Sequence, residues 1–133
     1  MQNSFLSIFL AKINVAKQGH FVSVKVENTE VTLKLLEMFE DIGIIRGYHI
    51  VSGENKIKVI LRYVKGSFNI FFKIVQISRP GRRVYVDIMH LVKLKERESG
   101  NNIYLLSTPK GIMFDSECIF KRIGGEVIIK IVM

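Results

Sequence analysis

Arg79, Arg82 and Arg83 set three guanidinium groups around the Pro80-Gly81 dipeptide. A planar guanidinium matches phosphate with two parallel, charge-assisted hydrogen bonds. A solvated basic turn would carry the same residues. Tyr85, two positions on, favours the anion reading, because an exposed ring stacks on a base or ribose and its hydroxyl reaches a phosphate. Further along, Ser107 and Thr108 supply two small hydroxyls, Pro109 a rigid turn, Lys110 a cation and Gly111 a point of close backbone approach. These suit contacts to an RNA backbone and to base edges, and equally suit an ordinary strand-to-turn transition. Gly124 and Gly125 then precede Glu126. The glycines alone can be a tight turn, whereas an acid in so basic a stretch has a use if it accepts from an exocyclic amine or orients a nearby hydroxyl.

The sequence offers little to an enzyme. His20, His49 and His90 lie in unrelated segments, none with a second ligand at metal spacing, and Cys118 falls on an expected helix without a base beside it. Ser107 lacks the glycine-flanked elbow of a serine nucleophile, and Glu96 and Glu98 alternate with Arg97 on what reads as a solvated turn. No catalytic residue, metal, cofactor or small-molecule substrate is expected. A single cysteine also excludes an internal disulfide and thiolate zinc sites, and fits a reducing compartment.

Twenty Lys and Arg against 12 acids give a net charge of +8 among 133 residues, which favours a polyanion or an anionic membrane surface. Residues 1–66 carry nine bases and six acids, residues 67–133 eleven and six, so the second half is the better anion-binding candidate. Basic residues interrupt every apolar run well before the roughly 20 residues of a spanning helix, so no membrane insertion is expected. A peripheral membrane binder needs its bases on one helix face, and no segment supplies that. The 48% apolar content is enough to fold before binding.

Two half-domains, 1–66 and 67–133, must position these groups. Phe5, Ile8, Phe9 and Ile13 recur at helical spacing up to Gly19, and the opening segment reads as a helix rather than a signal peptide. Val22, Val24 and Val26 then alternate with polar residues as in a half-buried strand. Asn28 or Thr29 can cap a helix whose face is Val31, Leu35, Met38 and Ile42, stopped by Gly43. A hairpin follows, Ile44 to Val51 and Lys56 to Val64 about the turn Ser52-Gly53-Glu54-Asn55, with Lys65-Gly66-Ser67 as a linker. The second half reads as a strand from Asn69 to Ile77, an extended Val84-Tyr85-Val86, a short helix from Met89 to Lys95, and a turn from Ser99 to Asn102. A strand from Ile103 to Ser107, a helix capped by Asp115 and a closing strand from Val127 to Val132 complete it. The fold class is therefore α+β: an α-β-α-β-β unit followed by a strand-rich half with one or two short helices.

Three blocks carry a resemblance: Ile77 to Val86, Leu105 to Glu117, and Gly124 to Val127. In content and spacing they resemble the family of ribosomal protein eight of the small subunit. Fainter likeness runs through the first half, in the helix bearing Lys12-Ile13-Asn14, the helix ending at Gly43 and the hairpin. The resemblance implies a two-domain α+β protein without catalysis that binds a helical junction in the central domain of small-subunit rRNA and helps assemble the platform beside other small-subunit proteins. Tyr85, Ser107, Thr108, Gly124, Gly125 and Glu126 match the family's grip on irregular RNA, and Lys12 and Asn14 match its N-terminal backbone contacts.

The chain departs from the family pattern in places. Pro109 replaces a third small hydroxyl, Phe114 a threonine and Ile119 a basic residue, and an Asp-Pro opening is missing. Recognition at Pro109 must differ, and the helix after Phe114 is expected to pack on a protein or reshaped RNA. Abundant Ile, Lys, Phe and Asn without Trp reflect an AT-rich gene. With the diverged terminus and no transit peptide, this suggests a mitochondrial ribosome and an organelle-encoded protein, with a plastid or a bacterial cytoplasm as alternatives.

Overall fold

The computed structural model describes residues 3–63, 73–98 and 102–132. Its contacts divide the chain into two compact units, Phe5–Phe71 and Phe72–Met133 with Met1–Ser4. Val64, the linker at 65–67, the opening residues of the strand expected from Asn69, and residues 99–101 of the expected turn lie outside the described residues.

The first unit runs α1 (Asn3–Gln18), β1 (Ser23–Glu27), α2 (Glu30–Asp41), β2 (Ile45–Ile50) and β3 (Lys56–Leu61). Its antiparallel sheet has the order β1-β3-β2. Helix α1 buries Leu6, Phe9, Leu10, Ile13 and Ala16, whereas Ile8 is exposed. The expected face was therefore rotated. Apolar residues surround so much of this helix that spacing alone leaves the phase open. Strand β1 starts at Ser23, one residue after the alternation at Val22 begins, because the Phe21 N–H is held by the Ala16 carbonyl at 2.9 Å in the turn leaving α1. Thr29 caps α2 by accepting from the Thr32 N–H at 3.1 Å, and Gly43 at φ +82° ends it where a side chain would be strained. Ile57, Val59 and Leu61 alternate inward along β3, and the Phe9 and Phe39 rings stack with centroids 6.1 Å apart.

The second unit runs β4 (Lys73–Gln76), β5 (Tyr85–Val86), α3 (Ile88–Arg97), β6 (Asn102–Thr108), β7 (Gly111–Phe114), α4 (Asp115–Lys121) and β8 (Gly125–Val132). Strand β8 is central: it pairs with β6 on one side and, on the other, with β4 at its end and β5 at its start. Glu126 to Ile129 are buried in succession along it. Leu91 of α3 and Cys118 of α4 pack with Tyr104, Leu106, Met113 and Val127 into one cluster, which Ile119 and Ile123 border.

Strand β7 was not expected from the sequence, and Asp115 is no exposed cap. Phe114 holds the cap position, while Asp115 is buried, accepting from the Tyr104 N–H at 3.2 Å and pairing with Lys95 at 2.9 Å. The four residues Gly111–Phe114 are too short for a periodic signal and only become a strand by pairing with β6. Helix α3 begins at Ile88, one residue early, because the Asp87 side chain accepts from the His90 N–H at 2.8 Å. Glu98, expected on a solvated turn, instead takes hydrogen bonds from Tyr104 at 2.5 Å, Asn102 at 2.9 Å and Lys130 at 3.3 Å. This ties the end of α3 to β6 and β8.

Candidate nucleic-acid interface

Three neighbouring strands build one row of side chains. In the register of β5 with β8, Tyr85 stands opposite Glu126; in that of β6 with β8, Ser107 stands opposite Glu126. Directly opposed residues project from the same face, and strands lie about 4.8 Å apart, so Tyr85, Glu126 and Ser107 form a row roughly 10 Å long. An irregularity in β8 makes this possible. Leu105 pairs with Ile129 but Leu106 with Val127, so one extra residue is absorbed before Ser107. Without that bulge Ser107 would face Val127, and the acid would fall on the opposite side of the sheet.

The glycines hold the strands together at this end. A Cβ on Gly125 would lie 2.5 Å from the Ser107 carbonyl oxygen, and one on Gly124 would lie 2.5 Å from that of Val86. Here glycine is required by backbone crowding, since neither residue has a positive φ. The hairpin between β6 and β7 is closed by Thr108, whose hydroxyl donates to the Gly111 carbonyl at 2.7 Å and accepts from the Lys110 N–H at 3.1 Å. Thr108 thus shapes its own turn, in which Gly111 takes φ +108° and Pro109 and Lys110 stand exposed. The Ser107 hydroxyl, by contrast, has no protein partner among the described residues.

The arginine loop folds as a tight turn. Arg79 and Arg82 bond each other's backbone at 3.1 and 2.9 Å across Pro80 and Gly81, which takes φ +82°. Buried Ser78 closes it, its hydroxyl accepting from the Val84 N–H at 3.0 Å. Sequence reasoning passed over Ser78, although a small hydroxyl just before a turn is a frequent backbone anchor. The three guanidinium groups are not equivalent. Arg83 pairs with the Glu126 carboxylate at 3.3 Å, whereas Arg79 and Arg82 make no ion pair among the described residues. Tyr85 is 69% exposed and Glu126 only 7%.

Lys12 and Asn14 belong to the first unit, on α1, where both are half-buried. Lys12 lines an apolar groove with Ile8, Val15 and Phe21. Of the residues that depart from the family pattern, Pro109 is exposed at the hairpin tip, Phe114 is half-buried, and Ile119 packs at the edge of its own unit's core. Phe120, not Ile119, is the apolar residue that α4 shows to solvent.

No group of three or more metal-ligating side chains occurs among the described residues, and burial pushes the Cys118 thiol up, away from the thiolate. The Ribosomal protein S8 family model matches residues 5–132. The chain belongs to that family. It is 36% identical over 126 residues to the small ribosomal subunit protein uS8 of Nitrobacter hamburgensis, covering 92% of each chain. The proteins of that name from Rhizobium rhizogenes (33% over 126 residues, 92% of each chain) and Syntrophus aciditrophicus (34% over 125 residues, 92% of each chain) are similar. Family membership makes this S8 chain a structural ribosomal protein and not an enzyme. No helix among the described residues is long and apolar enough to cross a membrane.

Proposed function

We propose that the chain is a structural constituent of the small ribosomal subunit whose second unit grips an irregular helical junction in the central domain of small-subunit rRNA and supports platform assembly. The observation that carries this reading is the row Tyr85–Glu126–Ser107, flanked by the exposed bases of the arginine turn and by Lys110. A ring, a buried acceptor and a hydroxyl without a partner among the described residues, within about 10 Å, offer stacking and base-edge contacts, which a regular A-form duplex hides and a widened junction presents.

Arg79, Arg82 and Lys110 supply charge to the phosphates, Gly111 lets the backbone come close, and Gly124 and Gly125 let β5, β8 and β6 pack tightly enough to hold the row. Lys12 and Asn14 add backbone contacts from the first unit. The partners are rRNA and neighbouring small-subunit proteins, a reading supported by relatives named as small ribosomal subunit proteins. The setting we favour is a mitochondrial ribosome with the gene inside the organelle. The AT-rich amino-acid usage supports it, and the bacterial sources of the relatives are as compatible with a plastid or a bacterium.

The test is direct binding of the purified chain to an rRNA fragment containing the junction and to unrelated duplex RNA across a salt series. Junction affinity well above duplex affinity, weakening as salt rises, is expected. Equal affinity for the two RNAs would sink the reading, and sedimentation with anionic vesicles in the absence of RNA would favour a peripheral membrane role.

A further inference from the structure

We propose that Arg83 is a positioning residue: it holds the Glu126 carboxylate through one oxygen so that the other accepts from an amino, imino or 2′-hydroxyl group of the RNA, and it does not itself bind phosphate. The inference rests on the RNA-binding reading above and assigns a division of labour within the arginine loop.

The geometry gives Arg83 little choice of direction. The Val84 N–H is fixed by Ser78 and the Val84 carbonyl accepts from the Val127 N–H at 2.9 Å, so Val84 points into the core of the second unit. Arg83 and Tyr85, on either side of it in an extended segment, project from the other face, where Glu126 lies. There Arg83 Nη1 meets Glu126 Oε2 at 3.3 Å.

The pairing is asymmetric in burial. The Glu126 side chain is 9% exposed and that of Arg83 is 40% exposed. A carboxylate so little hydrated needs a partner, because an unpaired buried charge is costly. Arg83 meets that need at one oxygen only, and Oε1 receives no hydrogen bond from any described residue. A carboxylate can only accept, so that oxygen, on a residue flanked in register by Tyr85 and Ser107, calls for a donor from outside the protein. Nucleic acids present such donors on base edges and ribose, never on phosphate.

A double-mutant cycle on the full chain decides it, with the junction rRNA fragment and an unrelated duplex RNA as probes and melting temperatures recorded for every variant. Arg83→Ala is expected to weaken junction binding about 10-fold, as loss of a charge-assisted contact does, while duplex affinity and the salt slope stay unchanged. In a Glu126→Gln background the same substitution should cost nothing further, and Arg83→Lys should recover most of the wild-type junction preference. A merely structural arginine would lower both affinities together. The inference is overturned if Arg83→Ala reduces the salt slope by about one unit, as loss of a phosphate contact would, or if its loss adds to that of Glu126→Gln. Should Arg83→Ala fail to fold, Arg83→Gln, which keeps a donor but no charge, carries the cycle with the same criteria. Wild type without junction preference would overturn the RNA-binding reading and this one with it. Junction preference with additive losses would overturn this one alone.

Discussion

Gly125, like Gly124, has little freedom to change in the proposed interface. A Cβ there would stand 2.5 Å from the Ser107 carbonyl oxygen and 3.1 Å from Thr108 Cγ2, and the first of these is backbone that cannot yield without moving β6. Overpacking of this kind costs about 1–3 kcal/mol. Gly125→Ala is therefore expected to lower the melting temperature and also to weaken junction binding, since the Ser107–Glu126 pairing is what moves apart. Thermal melts and filter binding on one preparation check it, and a variant that melts normally and binds normally would show that the strands are looser than described. At this scale the sequence was partly legible. The glycines, Ser107, Glu126 and Tyr85 stood out by type and by resemblance, and Gly111 does occupy a turn with positive φ. What spacing could not reveal is which group a side chain is committed to. Thr108 spends its hydroxyl on its own turn, and Arg83 spends its charge on Glu126.

The elements bring distant residues into register, and here the sequence was less informative. Alternation marked β3, but the bulge that slides β8 by one residue against β6 leaves no mark in composition, although it decides whether Glu126 or Val127 faces Ser107. Asp115 was likewise expected as a helix cap and Glu98 on a solvated turn, because their partners Lys95, Tyr104 and Lys130 lie on other elements. Burial pushes the Glu98 carboxyl up, but hydrogen bonds from Tyr104, Asn102 and Lys130 outweigh this and hold it below the usual carboxylate range. A folded-state pKa below the unfolded one means that Glu98 contributes stability above the ordinary value of 4.5, and that this contribution fades as the pH falls through the lower folded value. Glu98→Gln should thus melt below wild type at neutral pH, with the gap narrowing on acidification below about pH 4.5. A gap that stays constant across a pH series would mean that Glu98 acts through its shape alone.

On the scale of the whole molecule, the charge of +8 makes affinity for a polyanion depend on salt, and the question is which residues set that dependence. Arg79 and Arg82 are exposed, have no acidic partner among the described residues, and sit on a turn whose backbone they close themselves. Neutralising both should therefore leave the turn folded. Each phosphate contact contributes a slope of roughly 0.7–0.9 in log affinity against log salt, so an Arg79→Ala, Arg82→Ala double variant should flatten the dependence by about 1.5 units. The loss should fall alike on junction and duplex RNA, because phosphates carry no sequence. Glu126→Ala is the necessary contrast: it should weaken the junction by about 1–3 kcal/mol and spare the duplex. If the two variants behave alike on both RNAs, positioning and reading are not separate tasks in this interface, and the net charge rather than the row of side chains selects the partner.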